Sequence, residues 1–169
     1  VCRLKEKYPR NFCSYNAGIR LTDLPICNLS FTTEFTYTLP LTFRHNVPTL
    51  TFDNAGFNLV HYLKDNSKEW YLTIDYRPLR TLDINLYFID AIRGPDFTEL
   101  GTNRVGNPPL ASVAWHSTTF GMKASYQVIN DLYTWCSATY SNVSGDARWG
   151  PGYFYGRKNT VNLGVSLGF

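Results

Sequence analysis

No apolar run in this chain approaches the ~20 residues that a helix needs to cross a bilayer, and no stripe at i, i+3 and i+4 lasts beyond a turn or two. Helix is therefore nearly absent from the expected fold. Excess charge of one sign is missing as well: 16 Lys and Arg against 13 Asp and Glu leave a net +3, too small and too dispersed to point to nucleic acid. The four cysteines, Cys2, Cys13, Cys27 and Cys136, contain no Cys-x-x-Cys pair, which excludes the common zinc patterns and a disulfide-dense scaffold. Cys2 and Cys13 are close enough in sequence to bridge in an oxidising compartment, but the connectivity stays open. Cys136 falls on the apolar side of its segment and reads as a small hydrophobe. There is no phosphate loop, nucleotide motif or metal cluster, so no cofactor is expected. The opening "VCRLKEKYPRNF" has neither an initiator Met nor the apolar stretch of a signal peptide, so either an export signal has been removed or the chain begins partway through a longer protein.

What the chain has is aromatics and alternation. Its 12 Tyr, 11 Phe and 4 Trp make 16% of the 169 residues. Membrane β-barrels need such a content, because amphipathic rings populate both interfacial girdles. The closing segment "NTVNLGVSLGF" sets Val161, Leu163, Val165, Leu167 and Phe169 against Asn162, Gly164, Ser166 and Gly168, a period of two that divides a strand into an apolar and a polar face. Six more segments behave alike: 13–21, 27–39, 69–77, 82–90, 112–128 and 132–143. Seven antiparallel strands are therefore expected, in an all-β domain over 1–169. Their polar faces carry Arg20, Glu34, Asp75, Arg77, Asp83 and Lys123, the residues expected to face a lumen. Alternation within single strands is equally compatible with a soluble sandwich whose core is the aromatic face.

The connections decide between them. "TDLP", "PLRT" and "IND" are short, whereas the connections at about 40–67, 93–110 and 144–157 are long, and the two kinds alternate. Short turns on one side and long loops on the other are the layout of outer-membrane barrels, with turns periplasmic and loops extracellular. The expectation is an antiparallel transmembrane outer-membrane β-barrel of about seven or eight strands here. Single-chain barrels have even strand numbers, and residues 1–12 are too charged for a convincing eighth strand, so the chain reads as the carboxy-terminal part of a larger barrel, the alternative being an eight-stranded barrel of the smallest kind.

The most specific text is "YTLPLTFRHNVPTLTFDNAGFNLVHYLKDNSKEWYLTIDYRPL", residues 37–79, followed by "ASYQVINDLY" and "GPGYFYGRKNTVNLGVSLGF". These stretches resemble the carboxy-terminal barrel of the capsule-assembly Wzi-like outer-membrane proteins of Bacteroidetes, over about residues 14–169. The resemblance implies a multi-pass protein of the cell outer membrane linked to capsular polysaccharide, as a lectin and not an enzyme. It implies as partners the outer-membrane lipid and lipopolysaccharide, the barrel-assembly machinery, and other outer-membrane proteins. The terminal Phe169 looks like the aromatic that this machinery recognises.

The residues themselves leave room for sugar. Arg44, His45, Asn54, Asn58 and His61 share the first long loop with Phe43, Phe52, Phe57 and Tyr62, and the last loop adds Arg148, Trp149 and Tyr153 beside Asp146 and Tyr155. Aromatic faces with planar polar groups suit the C–H patches and hydroxyls of a saccharide. These rings could equally pack the loops over a lumen. Two further readings stay open. One is a channel, favoured by a charged lumen. The other is a small barrel enzyme, for which His45 or His61 would need a carboxylate such as Asp53; His116 and Ser117, as strand neighbours, point to opposite faces and form no nucleophile–base pair.

Overall fold

The computed structural model describes residues 12–43, 53–54, 57–58, 61–96, 109–146, 148 and 150–168, with 53–54 and 57–58 as backbone. Among the described residues seven strands form one sheet, and each alternating segment of the sequence supplies one of them. They are β1 (Ser14–Thr22), β2 (Leu29–Thr38), β5 (Ser67–Leu79), β6 (Leu82–Arg93), β7 (Trp115–Ile129), β8 (Leu132–Gly145) and β9 (Gly156–Leu167). Their order across the sheet is their order in the chain, and every pairing is antiparallel. Between β2 and β5 a short ribbon, β3 (Asp53–Asn54) with β4 (Phe57–Asn58), sits in the first long loop, where alternation alone gave no signal.

Several strands exceed their alternating text. β5 continues through Pro78, which lacks the N–H for a regular ladder; the register slips between Tyr76 and Leu79, the bulge that lets a proline stay in a strand. Two hairpins close in two residues, Arg80–Thr81 and Asn130–Asp131, with Asp131 in the left-handed region at φ 65°. The first turn is longer than "TDLP" suggests: residues 23–28 bridge β1 and β2, held by Asp23 Oδ1 accepting the Asn28 N–H at 2.7 Å. Short connections therefore lie at one end of the sheet and long ones at the other.

Directly paired residues share a face, so the register sorts every side chain. On the outer face, Phe35 pairs with Trp70, Phe88 with Phe120, and Phe120 with Tyr140. Trp70 meets Phe88 edge to face, ring centroids 6.0 Å apart, which completes a continuous aromatic row over five strands. Tyr76 and Tyr126 lie six positions nearer the turns than Trp70 and Phe120, roughly 20 Å along the strands. Between the two rows the outer face is Ile19, Phe31, Leu72, Ile74, Leu86, Met122 and Leu163, and Cys136 sits there opposite Ala124 and Leu163. Among the described residues nothing covers this face; Leu163 is 78% exposed.

The inner face is polar, and its loop-end half is buried, while Asp75, Arg77 and Lys123 toward the turns are exposed. Thr36, Thr38, Ser67, Thr73 and Arg93 are all buried, with Thr38 only 1% exposed. Residues 39–43 and 61–66 fold back over the loop end of this face. There Leu41, Phe43, Leu63 and Ala91 form the small apolar core. A soluble sandwich would bury the aromatic face, whereas here the arrangement is reversed.

Two inner-face glycines are required by large neighbours. Tyr87 lies over Gly121, where an added Cβ would fall 2.2 Å from the ring, and Trp135 covers Gly164 at 2.3 Å. The Tyr87 hydroxyl reaches Thr139 Oγ1 at 3.0 Å, tying β6 to β8 across β7. Gly121→Val should lower the unfolding free energy by about 1–3 kcal/mol in a urea titration, by overpacking. The double variant with Tyr87→Ala should lose less than the two single losses summed.

Candidate functional site

The long loops are pinned by one side chain that sequence reasoning missed. Asn66, 1% exposed and at φ 54°, ends the first long loop. Its Nδ2 donates to Pro95 O at 3.0 Å, and its Oδ1 accepts the Leu110 N–H at 2.8 Å. Its own carbonyl accepts from Gly94 N at 2.8 Å, and its N–H reaches Leu39 O at 3.4 Å. Gly94 is obligatory here, since a Cβ would lie 2.2 Å from Asn66 Nδ2. One residue thus joins the segments after β2, after β6 and before β7. The only signal in the text is the "DNS" turn before β5.

His61 lies within this frame. Its Nε2 stands 3.9 Å from Glu69 Oε2, and its Nδ1 accepts the Leu63 N–H at 3.4 Å. The Tyr62 hydroxyl also donates to Glu69, and the His61 and Tyr62 rings are 4.9 Å apart. A carboxylate beside His61 is therefore Glu69 of β5, while the side chain of Asp53 lies outside the described residues. Burial pushes the imidazole below its ordinary pKa, against the opposing pull of Glu69, and burial likewise raises the Tyr62 hydroxyl, with Glu69 adding to it. Arg44 and His45 lie outside the described residues, and Asn54 and Asn58 are placed only as backbone of the β3–β4 ribbon, opposite Phe57 and Asp53.

At the loop end of β7, β8 and β9 a cleft of about 520 Å³ opens on the inner face. Its floor is Ser117, Thr119, Ser141 and Thr160, with Trp115 and Lys158 at its edge, and a 3-10 turn, Gly152–Phe154, brings Tyr153, Phe154 and Tyr155 over it. The Tyr153 and Phe154 ring centroids lie 4.3 Å apart with the planes tilted by 40°, and Lys158 Nζ sits 5.8 Å from the Tyr153 centroid. Tyr155 donates to Asp146 O at 2.5 Å, which anchors the turn to the end of β8. Arg148 grips Asp146 through Nε at 2.7 Å and through its backbone N–H at 3.1 Å, and these hydrogen bonds hold that carboxyl below the usual range. Of the last-loop residues expected to bind sugar, Tyr153 lines this cleft, Arg148 shapes its anchor, and Trp149 lies outside the described residues. Trp115 and Lys158 were not among them. Strand alternation through "WHSTT" places Trp115 with Ser117 and Thr119, a signal available in the sequence.

A second inner-face cavity, about 590 Å³, lies at the turn end and draws its lining from five consecutive strands, so the sheet curls about this face. Arg20, Asp75, Arg77, Asp83 and Lys123 all line it, and Glu34 shares the face opposite Gly18. Arg77 pairs with Asp83, and Asn85 Nδ2 donates to Asp75 at 2.6 Å and to Thr73 Oγ1 at 2.9 Å. Among the described residues Arg20 and Lys123, which line the cavity, have no ion-pair partner, nor does Glu34 on the same face. Phe169 lies outside the described residues, as does any bridge from Cys2 to Cys13; Cys27 and Cys136 are unbridged thiols.

On the outer face, above the aromatic row, Asp90 Oδ1 meets His116 Nε2 at 2.7 Å and accepts from Thr118 Oγ1 at 2.9 Å. Thr118 Oγ1 meets the same ring nitrogen at 3.2 Å. A nucleophile–base–carboxylate relay needs hydroxyl and carboxylate on opposite ring nitrogens, so this cluster is a hydrogen-bonded knot at the rim. Comparison with protein families, curated proteins and solved structures finds no match to this chain.

Two outcomes follow from these pins. Asn66→Ala leaves Pro95 O and the Leu110 N–H without their partner and should cost about 1–3 kcal/mol, seen as faster hydrogen exchange at Leu110. Because the folded state holds His61 below its ordinary pKa, its contribution is present in full above that value and is lost as pH falls through it toward the lowered one. Protection of the Leu63 amide should therefore weaken between about pH 7 and pH 5, a dependence that His61→Gln removes.

Proposed function

We propose that this chain forms wall of an outer-membrane β-barrel, with its aromatic outer face in lipid, its polar inner face toward a lumen, and its loop end bound to surface polysaccharide. The observation that carries the reading is the reversal of the two faces. In water, an apolar surface running across seven strands far exceeds the few hundred Å² that soluble monomers expose, whereas in a bilayer it is the required surface. The aromatic row over five strands, with Tyr76 and Tyr126 nearer the turns, supports interfacial girdles, and the short and long connections fit periplasmic turns and extracellular loops. The assembly machinery, outer-membrane lipid, lipopolysaccharide and neighbouring outer-membrane proteins follow as partners.

The saccharide reading rests on the cleft of Trp115, Tyr153, Phe154 and Lys158. Its rings offer faces to sugar C–H surfaces, while Ser117, Thr119, Ser141 and Thr160 offer hydroxyls beneath. Paired charges and unpaired cations in the turn-end cavity favour a water-filled conducting lumen as the second reading, tested by single-channel conductance. For the saccharide, binding of the cell's own surface polysaccharide to the purified protein should weaken by about 3- to 10-fold on Tyr153→Ala, and similarly on Trp115→Ala, the loss of one ring contact each. Unchanged Kd in both variants would contradict the cleft as the binding site.

A further inference from the structure

The loop-end cleft carries one charge, and its sign is positive. Among the described residues that line it, Lys158 is the sole charged side chain, half-buried at the edge with Nζ 5.8 Å from the Tyr153 ring centroid. The strands beneath share that bias. β7, β8 and β9 contain no Asp or Glu on either face, whereas β2 carries Glu34, β5 carries Glu69 and Asp75, and β6 carries Asp83 and Asp90. Register puts Arg157 on the outer face, opposite Asn142, and leaves Lys158 and Lys123 as the inner-face charges of these three strands.

The carboxylates just past the ends of the flanking strands are already taken. Asp146, one residue beyond β8, is held by Arg148, and Asp96, three residues beyond β6, by Arg93 at 2.8 Å. Lys158 has no ion-pair partner among the described residues. In the open cleft its ammonium keeps its water, but a saccharide laid on Tyr153 would cover that edge, and a neutral sugar would strip water from a cation while supplying no countercharge. A sugar that carries its own carboxylate removes that cost. A carboxylate at the rim of a ring stacked on Tyr153 comes beside Nζ, where ammonium and acid form a charge-assisted hydrogen bond. The Arg fork that favours phosphate is absent from the lining.

We infer that the cleft selects an acidic saccharide, with a uronic-acid carboxylate paired to Lys158 while the sugar ring lies on Tyr153. The inference rests on the saccharide reading above and assigns the charge of its ligand. Lys158 is then the residue that discriminates acidic from neutral sugars, and the rings and hydroxyls of the cleft bind both kinds.

The test measures Kd of the purified native protein for the cell's own surface polysaccharide in two forms, untreated and carboxyl-reduced, the reduction turning uronic acids into neutral hexoses without shortening the chain. Reduction should weaken binding about tenfold. Lys158→Gln should weaken binding of the untreated form by a like factor and leave the reduced form unchanged, and Lys158→Arg should keep most of the preference. Equal Kd for the two forms, or a preference that survives Lys158→Gln, overturns the inference. Tyr153→Ala separates it from the reading it rests on. If Tyr153→Ala weakens both forms while reduction changes nothing, the saccharide site stands and its selectivity for acid falls. If neither form binds, or Tyr153→Ala leaves both Kd values unchanged, the saccharide reading falls and the inference with it.

Discussion

Everything in this structure depends on register. Because side chains alternate along a strand, a slip of one residue between any two neighbours would send Trp70, Phe120 or Leu163 to the inner face and Asp75 or Lys123 to the outer one. The six ladders keep one register from Phe35 through Trp70 to Tyr140, and the bulge at Pro78 and the slip between Gln127 and Ile129 are confined to the turn ends, beyond the aromatic rows. The result is a sheet sorted into two chemistries. Loop residues then bury the loop end of the polar side, and among the described residues nothing covers the apolar one.

The loops inherit their positions from that sorting. Asn66 enters β5 on the inner side, next to buried Ser67, and so can reach Gly94, Pro95 and Leu110 at the ends of the neighbouring strands. Without that clamp the segments after β2 and β6 would lose their common anchor over the inner face. At the other margin, Tyr155 and Arg148 fix the 3-10 turn through Asp146, and the cleft under Tyr153 exists because Trp115, Ser117 and Thr119 share the inner face of β7. His61, held neutral against Leu63, ties the same loop end to pH.

Much of this was legible in the text. Alternation found all seven strands, and the spacing of short and long connections found which ends belong together, because both signals are local. What lay beyond local pattern was missed. The β3–β4 ribbon is too short to alternate. Asn66 acts through backbone groups of distant segments, which carry no side-chain signature. Glu69, the partner of His61, becomes its neighbour only when the loop folds back. Trp115 was readable as an inner-face residue but gained meaning only when Gly152–Phe154 closed over it.

The central claim is that the aromatic face lies in lipid, and Trp70 tests it most directly. Trp70 belongs to the outer row, while Trp115 and Trp135 are on the inner face. In vesicles whose acyl chains carry bromine, the protein's tryptophan fluorescence should be quenched, and Trp70→Phe should remove most of that quenching. Fluorescence indifferent to the brominated lipid yet quenched by aqueous acrylamide at Trp70 would contradict the account.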